Sequence, residues 1–120
     1  GIIVSNHGGR QLDHAATPID VLPSIVDAVS GRADVILDGG IRRGTDILKA
    51  LALGAKACMA GRPYLYGLAA GGEAGVSRAL AIFTSEIQRD MSLLGVAQIS
   101  EIGAEHIQHC DGSFNYPSNF

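Results

Sequence analysis

One loop of this 120-residue chain sets an imidazole and a guanidinium three positions apart, in Ser5-Asn6-His7-Gly8-Gly9-Arg10-Gln11-Leu12-Asp13. Histidine is the side chain best placed to take a proton near neutrality, and arginine clamps a carboxylate in a planar fork. A substrate with a carboxylate beside a labile proton therefore suits His7 and Arg10. Two further loops carry anion chemistry. In Asp38-Gly39-Gly40-Ile41-Arg42-Arg43-Gly44 the glycines let backbone N–H groups approach an oxyanion, and the arginines add bidentate charge. Gly61-Arg62-Pro63 offers another arginine beside a helix start, where the helix end contributes partial positive charge.

Taken singly, each of these residues also has a plain structural reading. His7 could be a turn residue, Arg10 a surface charge, and Asp38 with Arg42 a strand-end ion pair. Arg43 is expected to face solvent, because adjacent residues leaving one strand point to opposite sides. His14 reads as a loop position and Cys58 as core packing. His106 and His109 have a spacing that suits a metal, but no cysteine or carboxylate set completes such a site.

The elements that must hold these loops follow from hydrophobic pattern. Ile2-Ile3-Val4-Ser5, Val35-Ile36-Leu37-Asp38 and Ala57-Cys58-Met59-Ala60 each read as a buried strand ending in a glycine-bearing loop. From Pro18 to Val29, residues Ile19, Leu22, Ile25, Val26 and Val29 make one apolar helix face, which Gly31 stops. Thr45 can cap a second helix with a stripe of Ile47, Leu48, Leu51 and Leu53, ended by Gly54. A glycine-rich link from Gly67 to Gly75 then leads to a closing helix from about Val76 to Leu94, and Ser100 to Ile107 reads as another short helix. The last residues, His109 to Phe120, read as a polar tail. Strand and helix alternate as in successive right-handed βαβ units, an order shared by eight-fold barrels and doubly wound sheets. Active sites of such folds lie at the carboxyl ends of the strands, where all three polar loops fall.

Composition narrows the function classes. Nine Lys and Arg against twelve Asp and Glu give a net charge of −3, which argues against a polyanion-binding surface and so against nucleic acid. No signal-peptide pattern and no apolar run of about 18 residues is present, so the expectation is a soluble, cytoplasmic protein, with membrane association of a full-length form left open. Cys58 and Cys110 do not resemble a disulfide framework, which fits a reducing compartment. The chain is well short of the roughly 250 residues of a closed (β/α)₈ barrel and opens abruptly on a strand, the pattern expected of a fragment.

Together the residues carry a resemblance. Ser-Asn-His-Gly-Gly-Arg-Gln-Leu-Asp from Ser5, Asp-Gly-Gly-Ile-Arg-Arg-Gly-Thr-Asp from Asp38, Lys-Ala-Leu-Ala-Leu-Gly-Ala from Lys49 and Gly-Arg-Pro from Gly61 follow one another at consistent spacing. In this the chain resembles the FMN-dependent α-hydroxy-acid dehydrogenases and oxidases, which include flavocytochrome-type lactate dehydrogenases, glycolate oxidase and mandelate dehydrogenase. The resemblance implies an α/β fold, the C-terminal portion of a (β/α)₈ TIM barrel comprising about strands six to eight and their helices over residues 1–107, with a tail over 108–120. It implies FMN as cofactor and an L-2-hydroxy acid as substrate, lactate by preference over glycolate or mandelate, oxidised to the 2-oxo acid.

Position by position, the resemblance makes His7 the base that also binds substrate, and Arg10 the carboxylate clamp. Ser5 would lie near the flavin, Asp38, Gly39, Gly40, Ile41 and Arg42 would hold its ribityl and phosphate groups, and Gly61 and Arg62 would complete the phosphate cradle. Electrons would pass to the flavin N5, by hydride transfer or after carbanion formation, and onward to oxygen, a quinone or a cytochrome. The family's substrate-contacting tyrosines, its flavin-side lysine and the aspartate that orients the histidine would belong to upstream strands, and Tyr64 and Tyr66 are not those tyrosines. The 120 residues alone are therefore expected to be inactive, and the whole protein to form a homo-oligomer, a tetramer by resemblance, with Tyr64 to Gly75 and the tail near its contacts. A phosphate-ligand-binding half barrel without redox chemistry is the competing reading, and pairing of two copies to close a barrel is a third. The His7–Arg10 pair discriminates, since a pure phosphate binder needs neither base nor carboxylate clamp.

Overall fold

Three short parallel strands alternate with helices in the order β1 Ile2–Ser5, α1 Pro18–Val29, β2 Val35–Asp38, α2 Gly44–Ala52, β3 Ala57–Met59 and α3 Arg62–Leu94. The computed structural model describes residues 1–109, so the tail read over 108–120, with Cys110, lies from residue 110 onward outside the described residues. Each strand pairs with its sequence neighbour, Ser5 opposite Asp38 and Asp38 opposite Met59. Parallel pairing with a helical crossover puts all three strand exits at one end of the sheet.

Helices cover one face of the sheet. Alternation sends Val4, Val35 and Leu37 to that face, where they pack with Leu22 and Val29 of α1, Ala50 of α2 and Phe83 of α3. Leu22 and Leu37 are fully enclosed. The other face carries Ile3, Ile36, Ala57 and Met59, and Ile3 is 54% and Met59 45% exposed. The expectation of three buried strands therefore holds for β2 alone, because β1 and β3 are edge strands of a sheet covered on one side.

Other corrections concern helix ends. α1 ends at Ser30, in the left-handed region at φ 48, with its N–H bonded to Val26 O, and Gly31 only follows it. Thr45 does not cap α2. Its hydroxyl donates to Asp90 Oδ2 at 3.1 Å, and the capping acceptor is Asp46, whose Oδ2 takes the N–H groups of Arg42 and Arg43, each at 2.9 Å. The glycine-rich stretch read as a link is helical except at Gly71 and Gly72, which break α3 into two arms (62–70 and 73–94). Gly67 and Gly75 lie where those arms touch, since a Cβ on Gly67 would meet the Gly75 carbonyl oxygen at 2.5 Å. Those two glycines serve close backbone packing, not slack. The Ser100–Ile107 helix is replaced by two single 3₁₀ turns, Ile99–Glu101 and Ala104–His106. The first is capped by Glu101 Oε2, which accepts from Ala97 and Gln98, and these bonds lower the Glu101 pKa. No helix among the described residues is long and apolar enough to cross a membrane.

Candidate active site

The exits of β1, β2 and β3 enclose a cleft of about 240 Å³. Eight of the ten residues singled out from sequence line it: His7, Arg10, Asp38, Gly39, Gly40, Ile41, Gly61 and Arg62. Ser5 and Arg42 do not, and each has a different place.

Ser5 stands behind the cleft as a connector. Its hydroxyl donates to Asp38 Oδ2 at 2.6 Å and accepts the His7 N–H at 3.1 Å, so one side chain joins the β1 loop to the end of β2. Asp38 thus meets a hydroxyl, whereas the plain reading paired it with Arg42. His7 itself sits at φ 58, in the left-handed region that non-glycine residues seldom occupy. Asn6 holds that turn in place: its Oδ1 accepts from Gly9 N at 3.1 Å, and its amide nitrogen donates to the Ala16 carbonyl at 3.3 Å. Strain kept by surrounding bonds is a feature of functional loops. The sequence signal for Asn6 in this role is an Asn just before a glycine-bearing turn, a position that favours a side-chain-to-backbone bond.

The β2 loop turns on Gly39 and Gly40, at φ 106 and 80, which no L side chain adopts without strain. Past them, Ile41 is buried and anchors the loop to the core. Arg42 and Arg43 give their N–H groups to Asp46, and Gly44 gives its own to Glu86 Oε2 at 2.7 Å. Carboxylates therefore occupy the donors at the start of α2. Arg43, expected in solvent, is 68% exposed yet pairs with Glu86 Oε1 at 2.8 Å. Glu86 escaped the sequence reading because it stands among ordinary polar residues of a long helix.

The third loop reaches the cleft at Gly61, the residue before α3, followed by Arg62 and Pro63. Pro63 gives up no bond there, because first-turn N–H groups lack helical partners anyway. A Cβ on Gly61 or on Gly40 would meet nothing within 4 Å, so both glycines border open space. Cys58 on β3 packs against the core, and burial pushes its thiol pKa up to about 11. Among the described residues no group of three or more His, Cys, Asp or Glu is arranged for a metal, and His106 Nδ1 lies against the Gly103 backbone.

The donor set is specific in kind. Glycine-turn N–H groups, a helix N-terminus and Arg62 suit a phosphate, Asp38 suits a hydroxyl, and His7 with Arg10 suits a carboxylic acid with an acidic neighbour. A phosphorylated polyol such as the side chain of a flavin mononucleotide fits the first two.

The chain as a whole is similar to known proteins. Residues 1–109 match the family described as FMN-dependent dehydrogenase. An L-lactate oxidase of Nostoc sp. is 58% identical over 101 residues, 84% of this chain and 28% of that protein. A 2-hydroxyacid oxidase 2 of Rattus norvegicus is 54% identical over 108 residues, 90% of this chain and 31% of that protein. Among solved structures, an oxidised active mutant of (S)-mandelate dehydrogenase superposes with a TM-score of 0.84 at 46% identity, covering 88% of this chain and 30% of that one. The chain thus spans under a third of the length of each of these three proteins.

Proposed function

The chain belongs to the FMN-dependent dehydrogenase family, and on that premise we propose that it supplies strands six to eight of a (β/α)₈ barrel enzyme that oxidises an L-2-hydroxy acid to the 2-oxo acid. The observation that carries this reading is the meeting of His7 and Arg10 with the Gly39–Ile41 and Gly61–Arg62 loops around one cleft. A phosphate binder without redox chemistry would have no use for the first pair.

FMN, when bound, supplies a two-electron acceptor. Arg10 engages the substrate carboxylate through its planar fork and so fixes which face of the α-carbon is presented. His7 takes a proton from the substrate's α-carbon or hydroxyl. Asp38, held by the Ser5 hydroxyl, would accept from a ribityl hydroxyl. The N–H groups of Gly40 and Gly61 and the Arg62 guanidinium would hold the phosphate, and Arg42 would reach it from outside the cleft lining. The names of these two relatives, an L-lactate oxidase and a 2-hydroxyacid oxidase, favour lactate or another 2-hydroxy acid as substrate and oxygen over quinone or cytochrome as final acceptor. Assembly as a homo-oligomer involving the exposed Tyr64, Tyr66 and Leu68 of the first arm of α3 belongs to the same reading.

The test is anaerobic. Intact protein loaded with FMN should lose its yellow absorbance when an L-2-hydroxy acid is added and regain it on admission of oxygen. Absence of bleaching with lactate, glycolate and mandelate alike would overturn the proposal.

A further inference from the structure

Glu86 is a buried carboxylate for which the chemistry above has no use. It lies on the second arm of α3, its side chain 8% exposed, and both of its oxygens are engaged at the start of α2. Oε2 accepts from Gly44 N at 2.7 Å and Oε1 meets the Arg43 guanidinium at 2.8 Å. The approach is close enough to require glycine: a Cβ on Gly44 would fall 2.6 Å from Glu86 Cβ and 2.8 Å from Ile87 N. A charge taken out of water is tolerated only where its partners stand in fixed places, so Glu86 dictates the positions of Arg43 and Gly44.

Those two residues end the loop that begins with Gly39. Arg43 is extended, at φ −134 and ψ 160, the backbone geometry in which neighbouring side chains point to opposite sides. Arg43 is held toward α3, whereas Arg42 is exposed and, among the described residues, only its backbone N–H is engaged, by Asp46. The N–H of Gly44, meanwhile, is already spent on Glu86 and cannot compete for an anion. From these contacts, and resting on the reading of the cleft as an FMN site, we propose that Glu86 is a positioning residue for phosphate recognition. It fixes the exit of the glycine loop, assigns Arg43 to structure and leaves Arg42 to the ligand.

The experiment compares FMN with riboflavin, which differ only in the phosphate. Dissociation constants for both are measured by flavin fluorescence titration on the intact protein and on its Glu86→Ala and Glu86→Gln variants, with thermal unfolding of the flavin-free proteins alongside. Glu86→Ala should weaken FMN by about tenfold or more while changing riboflavin by less than about twofold. Glu86→Gln, which keeps an acceptor for Gly44 but loses the charge facing Arg43, should fall between wild type and alanine. If the alanine variant does not fold, the glutamine variant carries the same comparison. Equal weakening of both flavins, or no change in either, would show that Glu86 serves only the fold and would overturn the proposal. Wild type that binds the two flavins equally would instead overturn the reading of the cleft as a phosphate site, and this inference with it.

Discussion

The Ser5 hydroxyl donates to the Asp38 carboxylate at 2.6 Å, and the two residues are register partners at the ends of β1 and β2. Ladder register thus aligns the loop carrying His7 with the loop carrying Gly39 and Gly40, and the side-chain bond locks that alignment. Ser5→Ala removes both the donor to Asp38 and the acceptor for His7 N. It should lower unfolding free energy by about 1 kcal/mol, as for a partly exposed pair of bonds, and weaken FMN retention. Urea midpoints and flavin fluorescence check the two effects separately, and unchanged values in both would remove Ser5 from the site.

His7 and Arg10 should separate kinetically. His7→Gln is expected to cut the rate of anaerobic flavin reduction by about a hundredfold or more while FMN stays bound, because a positioned base contributes to the barrier and not to cofactor affinity. Arg10→Lys keeps charge but loses the fork, so its main effect should be a rise in substrate KM of about tenfold or more. Stopped-flow reduction across substrate concentrations distinguishes them. A His7 variant that reduces as fast as wild type would deny it the role of base.

Gly40 and Gly61 are cleft glycines under different constraints. Gly40 is at φ 80, so Gly40→Ala should destabilise the apoprotein by about 1–2 kcal/mol through the backbone alone. Gly61 has an ordinary φ of −93 and no neighbour within 4 Å of a Cβ, so Gly61→Ala should change stability by less than about 0.5 kcal/mol. If a phosphate approaches there, the same change still weakens FMN. Thermal melts without flavin and titrations with it give both answers, and a Gly61→Ala protein with full FMN affinity would place the phosphate elsewhere.

Cys58 should be slow toward thiol reagents at neutral pH. Its pKa is raised from 9.0 to about 11 by burial, and only the thiolate reacts. Alkylation followed by peptide mapping should show labelling that accelerates as pH climbs toward 11. The neutral thiol is favoured by the fold, so this group's contribution to stability is full below pH 9 and is lost as pH rises from 9 toward 11. Rapid labelling of Cys58 at pH 7 in the native protein would contradict the buried placement.

Much of this was legible in the residues. Short continuous apolar runs and period-3.6 patterns place β1, α1, β2 and the start of β3 at the positions observed, because local pattern and tertiary packing agree there. Eight cleft residues were found through glycine-bearing loops after apolar strands, a signal that depends on chain order alone. What escaped depends on contacts between distant segments. Glu86 and Gly44 lie 42 positions apart and are informative only as a pair. Thr45 looked like a cap by type, yet Asp46 took the role because its carboxylate can reach two N–H groups at once. The glycines from Gly67 to Gly75 suggested a flexible link because composition does not tell a glycine that bends a chain from one that lets two helix arms touch.

The sheet is ordered β1-β2-β3, with every strand beside its nearest neighbour in sequence. The Ser5–Asp38 pair closes a segment of 33 residues that already contains its own helix, and the entropy of such a closure grows only slowly with length. Parallel pairing across that separation is non-local and forms more slowly than the helix it encloses. The three loops around the cleft nevertheless form a contiguous cassette, whose parts arrive together along the chain.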